Sequence, residues 1–313
     1  MIEALLQTLL NGAASGGVYA LVALGYTLIF SVLGVINFAQ GALFSLGGYL
    51  TYLFMGGNIG VNGALPGWGL PVGLPFLLAL VQAALGTGLV GLVVERIAFA
   101  PLRRRGAEPL LSLITSLGAG VVLVNLLQIL MGAEGYAFPH GAAALGQLPE
   151  SLLIGGARIR TIQVLLLLIS ALAVAALSLW LERSRSGKAM RAVAEDATTA
   201  TLLGINSEAI VRLAFLLSGM LAGLGGGLIG MSVSLAGPYF GISYGLKGLA
   251  VLVLGGLGSV PGAIVGGLVM GMAEALIPPS ASGWRDALAF AILFAVLVLR
   301  PSGLLGRRQL EKV

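Results

Sequence analysis

Cysteine is absent from all 313 residues. That removes disulfides, thiolate metal sites and cysteine nucleophiles. Histidine occurs once, at His140. Charged side chains make up only 9% of the chain, whereas a soluble globular chain carries about 25%. The 58% of hydrophobic residues therefore suit a membrane-embedded chain. No polar stretch is long enough to fold separately, so residues 1–313 read as a single transmembrane domain. The opening MIEALLQTLL lacks a basic n-region and does not read as a cleaved signal peptide. The net charge is +5. In a chain this apolar, Lys and Arg mark cytoplasmic loops facing anionic lipid, not nucleic acid.

Several short patterns suggest chemistry that their surroundings refuse. Gly225-x-Gly227-x-x-Gly230 matches a dinucleotide fingerprint, but it follows no strand and sits in an apolar run, so helix packing is the better reading. Gly241-x-Ser243-x-Gly245 matches a nucleophile elbow, yet His140 falls in a separate loop and cannot serve it. Lys188 follows Gly187 without the first glycine of a Walker A loop. No catalytic residue, metal site or cofactor is expected. Glu274 is the one plausible mid-membrane carboxylate and lies near a helix end. A proton- or sodium-coupled carrier usually holds more than one, so an outside energy source is favoured over secondary transport or a channel.

What the chain does have is apolar runs. A span needs roughly 20 residues. Leu5–Val35, Leu74–Val94, Leu110–Met131, Val164–Leu181 and Ile210–Val233 qualify. Ala42–Met55 and Ala287–Leu299 are shorter, and Leu246–Ile277 is interrupted. The expected fold is an all-α polytopic membrane protein of about eight transmembrane helices, some broken or short. Gly219, Gly223 and Gly227 form a small-residue stripe for close helix approach. Ser112, Thr115, Ser116, Asn125 and Gln128 should bond mainly within their own helix or to a neighbour. Residues 132–163 form a polar loop, and Leu152–Arg160 reads as a β-hairpin with a Gly-Gly turn. Arg96, Arg103–Arg105, Arg183, Arg185, Lys188, Arg191, Arg300, Arg307, Arg308 and Lys312 cluster on one set of loops. Arg158, Arg160, Lys247 and Arg285 are spread over the other. The positive-inside rule then places the C-terminus in the cytoplasm and the N-terminus outside.

Two places break the apolar pattern. Asn37, Gln40 and Gly41 follow the first run, and two amides there are costly unless they face protein or a cavity. They read either as an interhelical hydrogen-bonding pair or as pathway residues. Gly255, Gly256, Gly258, Ser259, Pro261 and Gly262 interrupt the penultimate run, because Pro and closely spaced Gly disfavour helix. Broken helices are tolerated in a membrane where they are buried or line a cavity. Asn37, Gln40, Gly41, Gly255, Gly256, Gly258, Ser259 and Gly262 are therefore the expected substrate-pathway residues. Gly41–Gly48 also weakly echoes Gly262–Gly267.

The longest charged passage is residues 184–206, between two spans. Ala189–Leu203 contains no Gly or Pro and reads as a helix, with Gly187 and Gly204 at its borders. Met190, Val193, Ala194, Ala197, Thr201 and Leu202 fall near one face; Lys188, Arg191, Glu195 and Asp196 supply the other. A solvated connector would explain this much. The words Arg191-Ala-Val-Ala-Glu-Asp196 and Leu202-Leu-Gly-Ile-Asn206, however, resemble the coupling segment of ATP-binding cassette importer permeases. Asn37-Phe-Ala-Gln-Gly41 and Leu254-Gly-Gly-Leu-Gly-Ser-Val-Pro-Gly-Ala263 narrow this to the branched-chain amino acid permease family, LivH type.

The resemblance implies a subunit without catalytic activity of its own, in a bacterial inner membrane. It would import branched-chain or other apolar amino acids, or, in a close variant, urea or short amides. It implies a second related permease, two cytoplasmic ATPase subunits and a periplasmic binding protein as partners. Residues 132–163 would then be periplasmic. The residues that would seat on the ATPase are Gly187, Lys188, Arg191, Ala192, Glu195, Asp196, Ala200, Gly204, Ile205 and Asn206.

Overall fold

The computed structural model describes residues 2–71, 73–138, 151–154, 157–300 and 302–306. Pro139, His140, Pro149, the Gly155-Gly156 turn, Arg307, Arg308 and Lys312 lie outside the described residues. In chain order the helices are α1 (Ile2–Leu33), α2 (Gln40–Phe54), α3 (Phe76–Val94), α4 (Ala100–Arg104), α5 (Pro109–Met131), α6 (Thr161–Arg183), α7 (Arg185–Glu195), α8 (Ala197–Leu202), α9 (Ser207–Val233), α10 (Phe240–Gly255), α11 (Val260–Ala275) and α12 (Trp284–Leu299). A π-helical turn, Glu95–Phe99, joins α3 to α4. Strands β1 (Ser151–Ile154) and β2 (Ala157–Arg160) pair antiparallel, Ser151 opposite Arg160, as the sequence pattern predicts.

Among the described residues, five helices are long and apolar enough to cross a bilayer, or six if α10 and α11 count as one span bent by 120°. The expectation of about eight counted α2 and α12 as well. At 15 and 16 residues they are roughly 23–24 Å long, short of a hydrocarbon core of about 30 Å.

Burial sorts the spans. The apolar stretch of α1 is 83% buried and that of α9 72%, against 17% for α5 and 22% for α6. Helices α1 and α9 are thus the interior pillars, and α5 and α6 show most of their surface outward. Glycine sets how closely the pillars are approached. A Cβ on Gly16 of α1 would lie 2.8 Å from the Gly267 carbonyl oxygen of α11. One on Gly219 would lie 2.7 Å from the Thr87 carbonyl oxygen of α3. The stripe Gly219, Gly223 and Gly227 therefore packs as expected. Gly225 and Gly230 also lie within α9, against Phe44 and Phe138, which disposes of the dinucleotide pattern. Thr115 donates to the Leu111 carbonyl and Asn125 to that of Val121, each satisfied within its own helix.

Candidate functional site

After α1 the chain doubles back into the protein. Gly34 takes φ 68°, a left-handed turn that glycine adopts without Cβ strain. Helix α2 then begins at Gln40, whose side chain occupies the space a Cβ on Gly25 would need. Gly25 lies roughly 12 Å back along α1 from Leu33, so α2 starts inside the molecule. The connecting backbone is tied down. Phe38 N donates to Ser116 Oγ (3.2 Å) and Ala39 N to Asn37 Oδ1 (3.1 Å).

A second break mirrors the first. Beyond α9, Leu235 pairs with Tyr136, Gly237 turns at φ 120°, and α10 begins at Phe240. Helices α2 and α10 are antiparallel, with overlapping first turns. A Cβ on Gly41 would lie 2.9 Å from the Gly241 carbonyl oxygen, and one on Gly245 would lie 2.7 Å from Gly41 Cα. Gly241 N donates to Ser45 Oγ (3.0 Å). The crossing holds because glycine faces glycine.

A cavity of about 300 Å³ opens at this crossing. Phe38, Gly41 and Ala42 come from the first break, and Tyr239, Ile242, Gly245 and Leu246 from the second. Helix α5 closes one side with Leu117, Gly120, Val121, Val124 and Asn125, and Tyr26 reaches in from α1. No charged side chain among the described residues lines it. Its polar groups are Asn125 and two tyrosines, with Tyr239 O–H donating to Asn125 Oδ1 (3.4 Å). An apolar cleft with a few fixed polar groups suits a small ligand carrying an aliphatic side chain.

The expected pathway residues separate in space. Gly41 lines the cavity; Asn37 and Gln40 do not. Gln40 is fully buried, donates through Nε2 to the Ser218 carbonyl (3.1 Å) and accepts from Ser218 Oγ (2.9 Å). It clamps α2 to α9, the interhelical alternative. Asn37 is also fully buried, and its Nδ2 has no hydrogen-bond partner among the described residues.

Gly255, Gly256, Gly258, Ser259 and Gly262 sit at the far end of α10, roughly 20 Å from Gly241. There Gly256 and Gly258 take φ 108° and 76°, and Ser259 Oγ accepts from Gly262 N (3.1 Å) to cap α11. Leu304 N and Leu305 N donate to the Leu254 and Gly255 carbonyls (2.8 and 2.9 Å). Residues 302–306 pack onto this break, and it does not line the cavity at the crossing of α2 and α10. The spatial counterpart of Gly41 is Gly241, so the echo between Gly41–Gly48 and Gly262–Gly267 does not mark the paired elements.

Lys247 is the clearest correction to the sequence reading. It stands within α10, not in a loop, and is largely buried. Its Nζ lies 3.0 Å from Glu274 Oε1 of α11 and 2.8 Å from Asp286 Oδ1 of α12. Tyr19 O–H donates to Glu274 Oε2 (2.5 Å). The group ties three helices to α1. Removing one member of a buried pair strands the other, at about 3–5 kcal/mol. Lys247→Met should therefore lower thermal stability in detergent far more than Asp286→Asn, whose carboxylate is exposed. Equal melting temperatures for Lys247→Met and wild type would contradict the assignment.

The charged segment 184–206 is two helices, not one. Ser184 caps α7 by accepting from Gly187 N (2.8 Å), so the helix starts before Gly187. Gly187 is instead a packing residue: a Cβ there would lie 2.6 Å from Leu181 Cα. Asp196 breaks the run at φ −157°, ψ 107° and caps α8, accepting from Thr198 N (2.8 Å) and Thr199 N (3.1 Å). Gly204, at φ 87°, closes α8 in a Schellman turn, with Ile205 N donating to the Ala200 carbonyl (3.0 Å). Asn206 then caps α9, accepting from Ala209 N (3.0 Å).

Met190, Val193 and Ala200 are buried against the chain's own core. Lys188, Arg191, Glu195 and Asp196 are exposed, and Ala192 and Ile205 are half-buried. The sequence reading put Leu202 near one face with Met190, Val193, Ala194, Ala197 and Thr201, of which Ala194, Ala197 and Thr201 are also exposed. Leu202 is 83% exposed, and Leu203 beside it 78%.

The family model described as "Branched-chain amino acid transport system / permease component" matches residues 8–297. The chain is 36% identical over 312 residues to the high-affinity branched-chain amino acid transport system permease protein LivH of Escherichia coli K12, covering 98% of this chain and 97% of that one. It is 36% identical over 316 residues to BraD of Pseudomonas aeruginosa, covering 98% of each. A probable LivH of Methanocaldococcus jannaschii is 29% identical over 300 residues, 91% of this chain and 88% of that protein. No solved structure matches. This multi-pass helical chain, with its two half-helices meeting at facing glycines, belongs to the branched-chain amino acid transport permease family.

Proposed function

We propose that the chain forms half of the translocation pathway of an ATP-binding cassette importer for branched-chain or other apolar amino acids. The observation that carries this is the uncharged cavity at the crossing of α2 and α10. Its aliphatic lining fits a leucine-sized side chain and offers urea little to bond. Helix α5, little buried in the single chain, is the face on which a second, related permease would close the cavity.

The remaining assignments follow the same reading. Termini on opposite sides need an odd number of crossings: the five long spans, the short or tilted α2 and α12, and α10 and α11 taken as two crossings make nine, with the N-terminus outside and the C-terminus in the cytoplasm. Moving Lys247 from a loop into α10 strengthens the charge bias, since the outer loops lose a cation. Helices α7 and α8 then face the cytoplasm. There Lys188, Arg191, Glu195 and Asp196, with the turn Gly204–Asn206, would meet one of two ATPase subunits. A periplasmic binding protein would deliver substrate on the other side, across a bacterial inner membrane.

The test is competition for uptake in a strain carrying only this system. Leucine, isoleucine and valine should each displace labelled leucine, and urea and acetamide should not. Displacement by urea but not by valine would overturn the substrate assignment.

A further inference from the structure

A polar groove lies where α3 gives way to the π-helical turn, bounded by α4 and the start of α9. Five arginines and two glutamates line it. Two of the arginines are committed: Arg103 Nη2 is 3.0 Å from Glu95 Oε1, and Arg104 Nη2 is 3.4 Å from Glu208 Oε2. Arg96 and Arg105 make no ion pair among the described residues, and Arg212 bonds the Glu208 carbonyl through Nε (3.3 Å). Arg103 Nη1 is buried with no hydrogen-bond partner among the described residues. The groove thus holds a surplus of three positive charges and an unused guanidinium donor.

The surroundings indicate what neutralises it. Leu92 forms part of the groove. On the same stretch Leu89, Val93 and Ile97 are exposed large apolar side chains, as on a wall facing lipid tails. A cation-lined groove joined directly to an apolar wall matches an anionic headgroup carrying acyl chains. A soluble anion would use only the arginines, and an acidic protein surface would leave the apolar wall uncovered.

We infer that this groove binds the phosphate of an anionic phospholipid, with Arg96, Arg105 and Arg212 as its free cations. The inference needs only the membrane setting. In the proposed orientation the lipid belongs to the cytoplasmic leaflet.

The test is native mass spectrometry of the full-length chain, purified with its partners in detergent holding equal phosphatidylglycerol and phosphatidylcholine. Wild type should retain phosphatidylglycerol selectively. Arg96→Gln, Arg105→Gln and Arg212→Gln together should weaken that retention on the order of a hundredfold. The corresponding triple lysine variant, with charge kept, should retain it. Equal retention of the two lipids by wild type overturns the inference without reference to any variant. Displacement of phosphatidylglycerol by millimolar inorganic phosphate overturns it in favour of a soluble-anion site. Loss of an ATPase subunit from the glutamine variant, with phosphatidylglycerol retained, overturns it in favour of a protein-docking groove.

Discussion

Replacing Leu202 and Leu203 together with glutamate should abolish uptake while leaving the chain inserted and paired. Leu202 ends α8 and Leu203 caps it, at 83% and 78% exposure, in the most charged segment of the sequence. Among the described residues nothing covers them, and in the proposed orientation adjacent exposed leucines outside the lipid would form a contact surface. Their backbone is rigid, because Asp196 caps one end of α8 and Gly204 closes the other. Burying a leucine yields about 1.5–3 kcal/mol, so losing two should weaken the ATPase contact by at least a hundredfold.

Glu195→Gln should matter much less, since an exposed charge pair contributes about 0–1 kcal/mol. Ala200→Trp cannot serve as the probe. Ala200 packs inside this chain, so its small size has an internal cause and need not reflect an ATPase groove. The readouts are ATPase co-purification, substrate-stimulated ATP hydrolysis and uptake. Normal coupling in the double glutamate variant would reduce α7 and α8 to a solvated connector.

The second large effect is expected from Ala42→Phe. Ala42 is buried and lines the cavity. A phenyl ring there fills space that substrate would need and should cut uptake at least tenfold without dissociating the complex. Gln40→Leu, two residues away, should behave differently. It removes both hydrogen bonds to Ser218 and leaves buried polar atoms unpaired, at about 1–3 kcal/mol. Its melting temperature should fall, and the KM of the protein that remains folded should hold. Full uptake by Ala42→Phe would remove the cavity from the pathway.

Much of this architecture was legible because its causes are local. Gly204 predicts a left-handed exit, and Gly219, Gly223 and Gly227 predict close helix contact; both hold. Each depends on what one residue type can do within a turn or two. The failures are tertiary. Asp196 reads as a polar residue on a continuous helix, yet its side chain competes for Thr198 N and Thr199 N and ends that helix. Lys247, between glycine and leucine, reads as a loop cation. Only folding brings Glu274 and Asp286 to it from two later helices. The break at Gly237-Pro238 has neither the amide pair of Asn37 and Gln40 nor the dense glycines of the run from Gly255 to Gly262 to draw attention. The quieter break builds the cavity, and the louder one is a turn onto which residues 302–306 pack.

The most direct test of the central claim is uptake of labelled leucine into proteoliposomes, with ATP sealed on the side of α7 and α8. The chain, its companion permease, the ATPase pair and the binding protein together should accumulate leucine only when ATP is present. The chain alone should carry none. Leucine flux through the chain alone, indifferent to ATP, would contradict the account and make it a carrier or channel in its own right.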